Sequence, residues 1–424
     1  MVNGRSVPGN RWDLLDGLEP EQPPGVSVVV VHYQQQSELD RTLTALRRQT
    51  HPANRTEIIV VDDGSPEPPR VPDGVRLLRQ ADEGFRAAAA RNLGASHATG
   101  EVICFLDADT TPEPDYLTRM SRLPALAPEA VVAGRRKHAR FGGTPPDAPV
   151  EQAGPAAELP EPQWLLDAYR SSRNLLDADD RSYRYVIGAA MACSRWFFER
   201  VGGFDEQFRV YGGEDWEWVY RAWLSGAVLA HVPDAVAWHD GPDWAGRDLD
   251  DPDRRARKDA ETLLLTNYIP VAGSRGRAVR GAATDVLIRL AGAPSPAAAY
   301  VCVDSLLAVL PEASVMVPDE FAELFAAEQR VTPAGPAPLS RVLIDVPHAV
   351  RVDGVAKELR HATETVGAGT VGTVCIGPIR VDSARARARR AAWGTEVFDT
   401  EQVDVELPAL GADPGLAGYL GGWS

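Results

Sequence analysis

The chain has 424 residues, of which 44% are hydrophobic and 25% charged, and carries a formal net charge of −16. That length exceeds one ordinary domain and suggests two or three. The acidic balance excludes a general nucleic-acid binder, which needs a basic face, and broad attachment to anionic lipid. Four scattered cysteines, Cys104, Cys193, Cys302 and Cys375, show neither metal-ligand spacing nor a disulfide framework, so buried thiols in a reducing compartment are expected. The N-terminus lacks the order of a signal peptide and no apolar run is long enough to cross a bilayer, so a soluble, cytoplasmic protein is expected.

Residues 1–25 are a polar lead-in ending in Pro23-Pro24-Gly25. Val26 to Val31 is a β-branched run, the signature of a parallel strand buried on both faces. Leu39, Leu43 and Leu46 then recur at helical spacing, and Glu57 to Val61 forms a second strand ending in Asp62-Asp63-Gly64-Ser65. That is a βαβ unit. Val75 to Leu78 suits a short third strand, and Gly84 to His97 a helix with a small-residue face. Val102 to Leu106 is a fourth strand that runs into Asp107-Ala108-Asp109. Side chains on a strand repeat with period two, so Asp107 and Asp109 point to one face, where two carboxylates call for a hard divalent cation between them. Alone, the pair also suits an Asp-rich turn. Ligands of open α/β sheets lie beyond the carboxyl ends of the strands, where His32 and Tyr33, Asp62 and Asp63, and Asp107 and Asp109 all converge.

Residues 141–162 lack periodicity and read as a mobile loop, followed by a helix with Trp164, Leu165 and Tyr169. Ile187 to Cys193 is a small apolar strand, and residues 194–201 a helix that stops at Gly202-Gly203. Gly212-Gly213-Glu214-Asp215 then opens a helix carrying Trp216, Trp218 and Trp223. Acids in a first turn are stabilised by the helix dipole, so Glu214 and Asp215 also suit simple capping. Val228 to Val232 and Ala235 to His239 read as two further strands. Trp244, among polar residues beyond them, is the tryptophan best placed to face a ligand.

From about residue 271 the pattern strand–helix–strand returns at 285–290, 298–310 and 313–317, with further alternation after it. It suits either a degenerate second copy of the first half or an unrelated α/β module for oligomerisation or acceptor positioning. No strand in it ends in a paired D-x-D. Arg385, Arg387 and Arg389 at alternate positions suggest a solvated basic helix, and the tail after Glu406 a poorly ordered end.

Taken together, Val28 to Val31, Asp62-Asp63-Gly64-Ser65, Ala90-Arg91-Asn92, Asp107-Ala108-Asp109, Gly202-Gly203-Phe204-Asp205-Glu206 and Gly212-Gly213-Glu214-Asp215 resemble glycosyltransferase family 2 of the GT-A type over roughly residues 26–242. The second block is similar to bacterial chondroitin polymerases and animal β-1,4-galactosyltransferases. The resemblance implies an α/β fold with a Rossmann-like, mixed, mostly parallel sheet, and a smaller α/β domain behind it. It implies domains at 26–270 (donor half 26–125, acceptor half 126–270) and 271–424, after an extension at 1–25. It further implies an inverting transfer from a nucleoside-diphosphate sugar, a UDP-sugar first, to a carbohydrate, glycolipid or small-molecule acceptor, with Mn²⁺ or Mg²⁺ as cofactor. By that resemblance His32, Tyr33, Asp62, Asp63, Gly84, Arg91, Asp107, Ala108 and Asp109 would meet the nucleotide sugar. Asp107, Asp109 and His239 would hold the metal, Asp215 would be the base, and Glu214, Gly213 and Trp244 would meet the acceptor. One departure is Ala189-Ala190, where some relatives carry an Asn after the glycine matching Gly188. A sugar-1-phosphate nucleotidyltransferase would show a Gly-rich loop and a basic residue after its first strand; His32-Tyr33-Gln34-Gln35-Gln36 stands there instead. A scaffold with a decayed site is the non-enzymatic alternative, and the intact carboxylate set argues against it.

Overall fold

The β-branched run near the N-terminus sets the architecture. Val26–His32 is β1, buried along nearly its whole length as a strand covered on both faces requires. The structure, a computed structural model, describes residues 4–209, 212–242 and 252–421. After β1 come α1 (Gln36–Leu46), β2 (Thr56–Asp62), β3 (Val75–Arg79), α2 (Ala87–Ser96), β4 (Val102–Asp107), β5 (Thr110–Pro112), α3 (Tyr116–Leu126) and β6 (Ala130–Ala139). Then follow α4 (Val150–Ala156), β7 (Glu158–Leu159), α5 (Gln163–Ser171), β8 (Ala190–Ser194), α6 (Arg195–Val201), α7 (Glu214–Leu224), β9 (Val228–Asp240) and α8 (Pro252–Leu265). The sheet order is β3-β2-β1-β4-β8-β6-β9-β5, with β7 paired to β6. The first four strands are parallel, and β8 and β5 run against their neighbours. This is the mixed, mostly parallel α/β sheet that the resemblance implies.

One face of the sheet packs Val28 and Val30 against Leu39, Leu43 and Leu46 of α1 and Leu117 and Met120 of α3. On the other, α2 lies so close that a Cβ on Gly94 would stand 2.4 Å from Val29 Cγ1 and 3.0 Å from Val61 Cγ2. The small face read from the alanines of α2 serves that approach. The lead-in is not loose: Asn10 Nδ2 donates to the carbonyls of Leu175 at 2.6 Å and Leu229 at 2.8 Å.

Three expectations change here. Residues 141–162 hold α4 and β7 rather than a structureless loop, with Phe141 and Val150 buried against Trp238. The two strands expected between 228 and 240 are one irregular strand, whose register with β6 slips between Gly134 and Arg135. Pro233, which cannot donate to a ladder, lies in that bulge. Asp109 stands past the end of β4, in the turn to β5, so the turn and the carboxylate pair coexist.

The chain divides into two compact units, residues 1–223 with 227–265, and residues 224–226 with 266–424. In the second unit β10 (Val286–Leu290), α9 (Pro296–Val309), β11 (Ser314–Val317), α10 (Asp319–Ala322), β12 (Val331–Pro333), β13 (Val342–Val346), α11 (Ala356–Thr365), β14 (Val371–Ile376), β15 (Ile379–Ser383), α12 (Ala384–Trp393), β16 (Asp399–Val403) and α13 (Leu416–Tyr419) follow in turn. Its sheet order is β12-β11-β10-β13-β15-β14-β16. The quartet β12-β11-β10-β13 is parallel and is followed by an antiparallel strand, the order of β3-β2-β1-β4-β8. That is the order a repeated half would have. Two readings of the sequence fail in this unit. Arg385 and Arg389 are buried, not solvated: Arg385 donates to the Gly367 carbonyl at 2.5 Å, and both guanidinium groups stand over the Phe398 ring. The tail also docks, with the Leu410 N–H on the Ala349 carbonyl at 2.8 Å and the Tyr419 hydroxyl on Asp304 at 2.7 Å.

Candidate active site

The carboxyl ends of β1, β2 and β4 open into a cavity of about 1200 Å³ that also reaches the start of α7. Tyr33, Asp63, Gly84, Arg91, Asp107, Asp109, Gly213, Glu214 and Asp215 of the expected set line it. His239 is not among its lining residues, and neither are His32, Asp62 and Ala108. The last three are buried beneath it and act through others. His32 Nε2 accepts the Gln35 N–H at 3.1 Å, so its Nδ1–H faces Asp62 Oδ1 at 3.0 Å. Gln35 in turn donates from Nε2 to Asp109 Oδ2 at 3.1 Å. The imidazole thus holds the loop that holds the carboxylate. Ala108 fills core space under the turn, and its carbonyl accepts from the Thr42 hydroxyl at 2.7 Å. Trp244 lies outside the described residues.

On the side of β2, Asp63 accepts from Gln80 Nε2 at 2.5 Å and from the Arg86 N–H at 3.0 Å. Burial nonetheless pushes its carboxyl above the usual range. Asp109 is pushed up to about 6, first by burial and then by the charge of Asp107. Its Oδ1 lies 3.6 Å from His239 Nδ1, because the pairing of β5 with β9 sets Thr110 opposite His239.

Between the two ends of the cavity lies Arg91, 4% exposed. It donates from Nη1 to Glu214 Oε1 at 2.6 Å and from Nη2 to Asp107 Oδ1 at 3.1 Å. Burial opposes its charge, but Asp107, Glu214 and Asp215 together hold the guanidinium above its ordinary value. Glu214, also 4% exposed, keeps its second oxygen, Oε2, buried without a hydrogen-bond partner among the described residues. Such an oxygen is costly unless a ligand hydroxyl meets it. Asp215 Oδ2 accepts the Gly188 N–H at 2.9 Å and Oδ1 the Trp216 N–H at 2.8 Å. A Cβ on Gly188 would stand 3.1 Å from Arg91 Cζ and 3.2 Å from Asp215 Cβ, so glycine permits this approach. Burial raises the carboxyls of Glu214 and Asp215 above their usual range in spite of these partners.

Residues 27–197 match the family described as Glycosyl transferase family 2, and residues 176–237 match the one described as N-terminal domain of galactosyltransferase. The chain carries a family 2 glycosyltransferase domain. It is similar to the hyaluronan synthase of Pasteurella multocida, 28% identical over 279 residues, 60% of this chain and 28% of that protein. It is also similar to the validoxylamine A glucosyltransferase of Streptomyces hygroscopicus subsp. limoneus, 32% identical over 227 residues, 49% of each. The chain therefore spans half or less of the length of these relatives. The solved structure of GalNAc-T7 with UDP, GalNAc and Mn²⁺ matches with a TM-score of 0.39 and 21% identity, over 52% of this chain and 44% of that one.

The cavity also takes in residues that the motifs do not point to. Gln35, Arg136, Trp164, Tyr185, Lys258 and Glu261 all line the cavity. Glu261 of α8 packs on the double glycine, its Cδ 3.1 Å from where a Cβ on Gly212 would stand. Lys258 pairs with it at 2.8 Å and lies over the Trp216 ring. A local clue existed for this pair alone: Lys258 and Glu261 are three apart on a helix. Among the described residues no three His, Cys, Asp or Glu side chains converge in a ready-made metal site. The donor set is nevertheless the right kind. Two carboxylates and an imidazole suit Mn²⁺, and Asp109, raised by burial and then by the charge of Asp107, is a carboxylate whose charged form a cation would favour. Asp107 would have to turn from Arg91 to take part.

Proposed function

We propose that the chain is an inverting, divalent-metal-dependent glycosyltransferase that moves a sugar from a nucleoside-diphosphate sugar to an acceptor hydroxyl. The observation that carries this is Asp215, a half-buried carboxylate fixed through both oxygens by backbone N–H groups, in the same cavity as Asp107 and Asp109. Tyr33, Asp63 and Gly84 would receive the nucleoside, with a UDP-sugar as the first donor to test. Asp107, Asp109 and His239 would hold Mn²⁺ or Mg²⁺, which when bound supplies positive charge to the departing diphosphate.

A carboxylate retains acceptor capacity beyond two hydrogen bonds, so Asp215 can still take the acceptor's proton. Its raised pKa makes it a stronger base than an exposed aspartate. Glu214 Oε2 is placed to accept from the same or a neighbouring hydroxyl and so to orient the acceptor. The acceptor oxygen forms its bond to the anomeric carbon as the bond from that carbon to the diphosphate oxygen breaks. The configuration inverts, the nucleoside diphosphate leaves, and the proton rests on Asp215. Arg91 pairs with Glu214 and favours its charged form against the effect of burial.

The test is a donor panel with Mn²⁺, scored by release of nucleoside diphosphate in the presence of saccharide acceptors, for the wild type and Asp215→Asn. The variant should bind the nucleotide as the wild type does and lose transfer by about 10²–10⁴-fold. Equal turnover in D215N would remove Asp215 from the role of base.

A further inference from the structure

Among the described residues the aromatic side chains with the greatest exposure are Tyr33, Phe85 and Trp164, at 43, 37 and 47%, and all three line the active-site cavity. Tyr33 and Phe85 flank the donor motifs. Trp164 does not. It stands in the first turn of α5, outside every motif shared with the family, while Leu165, Ala168 and Tyr169 of the same helix are buried. Its ring lies 6.4 Å from that of Tyr185, tilted by 43°.

This pair rests on a stiff support. The Tyr169 hydroxyl donates to the Tyr185 carbonyl at 2.5 Å, and the Tyr169 ring is stacked flat on His231 at 3.5 Å. Three residues past Tyr185, the Gly188 N–H holds Asp215. Three residues of chain span at most about 10 Å, so a group on the aromatic pair lies within a sugar unit or two of the base. The cavity, at about 1200 Å³, exceeds the roughly 300–1000 Å³ of a site for one small ligand. There is room for an acceptor beside the donor. Indole and phenol rings give large, rigid, amphipathic contact at small entropic cost, and the apolar C–H face of a pyranose is a fitting partner.

We propose that Trp164 and Tyr185 form an acceptor shelf, which stacks the saccharide ring next to the one whose hydroxyl reacts. The acceptor is then a glycan of two or more rings rather than a lone monosaccharide. This inference rests on the transferase function proposed above, whose base and donor residues are separate from the shelf.

The test uses the full chain, loaded with UDP and Mn²⁺, on an array of mono- and oligosaccharides. The variants are Trp164→Ala, Trp164→Phe and Asp215→Asn, with UDP affinity followed by calorimetry. Wild type and D215N should retain oligosaccharides in preference to monosaccharides. W164A should lose at least about tenfold of that retention, W164F should keep most of it, and all four should bind UDP alike. No glycan retained by the wild type, equal retention of mono- and oligosaccharides, or retention indifferent to W164A would each overturn the shelf. The two proposals fail separately. Retention that needs Trp164 without transfer from any donor leaves the shelf and removes the reaction. Transfer with unchanged retention in W164A leaves the reaction and removes the shelf.

Discussion

Replacing Arg91 by methionine isolates the charge that joins the two ends of the cavity. Arg91 and Glu214 are each 4% exposed, and Arg91 Nη1 donates to Glu214 Oε1 at 2.6 Å. Removing one member of a buried pair costs about 3–5 kcal/mol, because the other charge stays behind in a poorly solvating site. For a unit of this size that lowers the unfolding temperature by about 10 °C. The pH dependence gives a sharper check. Burial already raises the Glu214 carboxyl against the pull of Arg91, so the folded state binds that proton more tightly than the unfolded chain does. The resulting penalty is present above the folded pKa and fades as pH falls toward the unfolded value. Without Arg91 the upward shift grows, so R91M should be far less stable than wild type at pH 8 and closer to it at pH 5.5. Thermal unfolding followed by tryptophan fluorescence reports on the right part of the molecule, since eight of the ten tryptophans precede residue 266. The double variant R91M/E214L removes both charges and should recover most of the loss. A midpoint within about 2 °C of wild type at pH 8, or the same loss at both pH values, would refute the account of Arg91 as a needed countercharge.

Two further outcomes concern the metal carboxylates and the packing beneath them. Asp109 titrates at about 6 without a cation, so protons should compete with Mn²⁺ below that pH. Mn²⁺ affinity measured by electron paramagnetic resonance should fall about fivefold as pH drops from 6 to 5, and a flat profile would sink the Asp109 assignment. Gly94→Ala places a methyl 2.4 Å from Val29 Cγ1 and should cost about 1–3 kcal/mol in denaturant unfolding, with little change in UDP affinity. A G94A chain as stable as wild type would show that α2 can shift away from the sheet.

Much of the donor half was legible because its signals are local. Val26 to Val31 could only be a strand covered on both faces, and the acids at 62–63 and 107–109 sit where such strands end. The supports of those acids were not legible. Gln35 reaches Asp109 across 74 residues, and nothing near Gln35 announces it. His32 and Asp62 look like ligand groups in the sequence, but they spend their polar atoms on each other and on the loops around them. Glu261 depends on where α8 comes to lie, which no periodicity within α8 encodes. The arginines of α12 failed for a plainer reason. Alternate spacing suggested exposure, whereas Arg385 and Arg389 are four apart and so share one helix face, which is buried. Pro-rich stretches misled in the same direction, since Pro149 precedes α4 and Pro155 lies within it.

Asn10 has a consequence for how the chain is made. Its side chain bridges residues 165 and 219 positions further on, and its Oδ1 accepts the Leu229 N–H at 2.8 Å. The segment around Asn10 therefore waits, once made, for a strand near the end of its own unit. At about 5–20 residues per second that wait lasts roughly 10–45 s. During it the buried lead-in residues Val7 and Leu15 have no completed core to enter. Chaperone dependence during synthesis should thus concentrate on nascent chains that have passed Asn10 but not yet reached Asp240, and release should coincide with the emergence of β9.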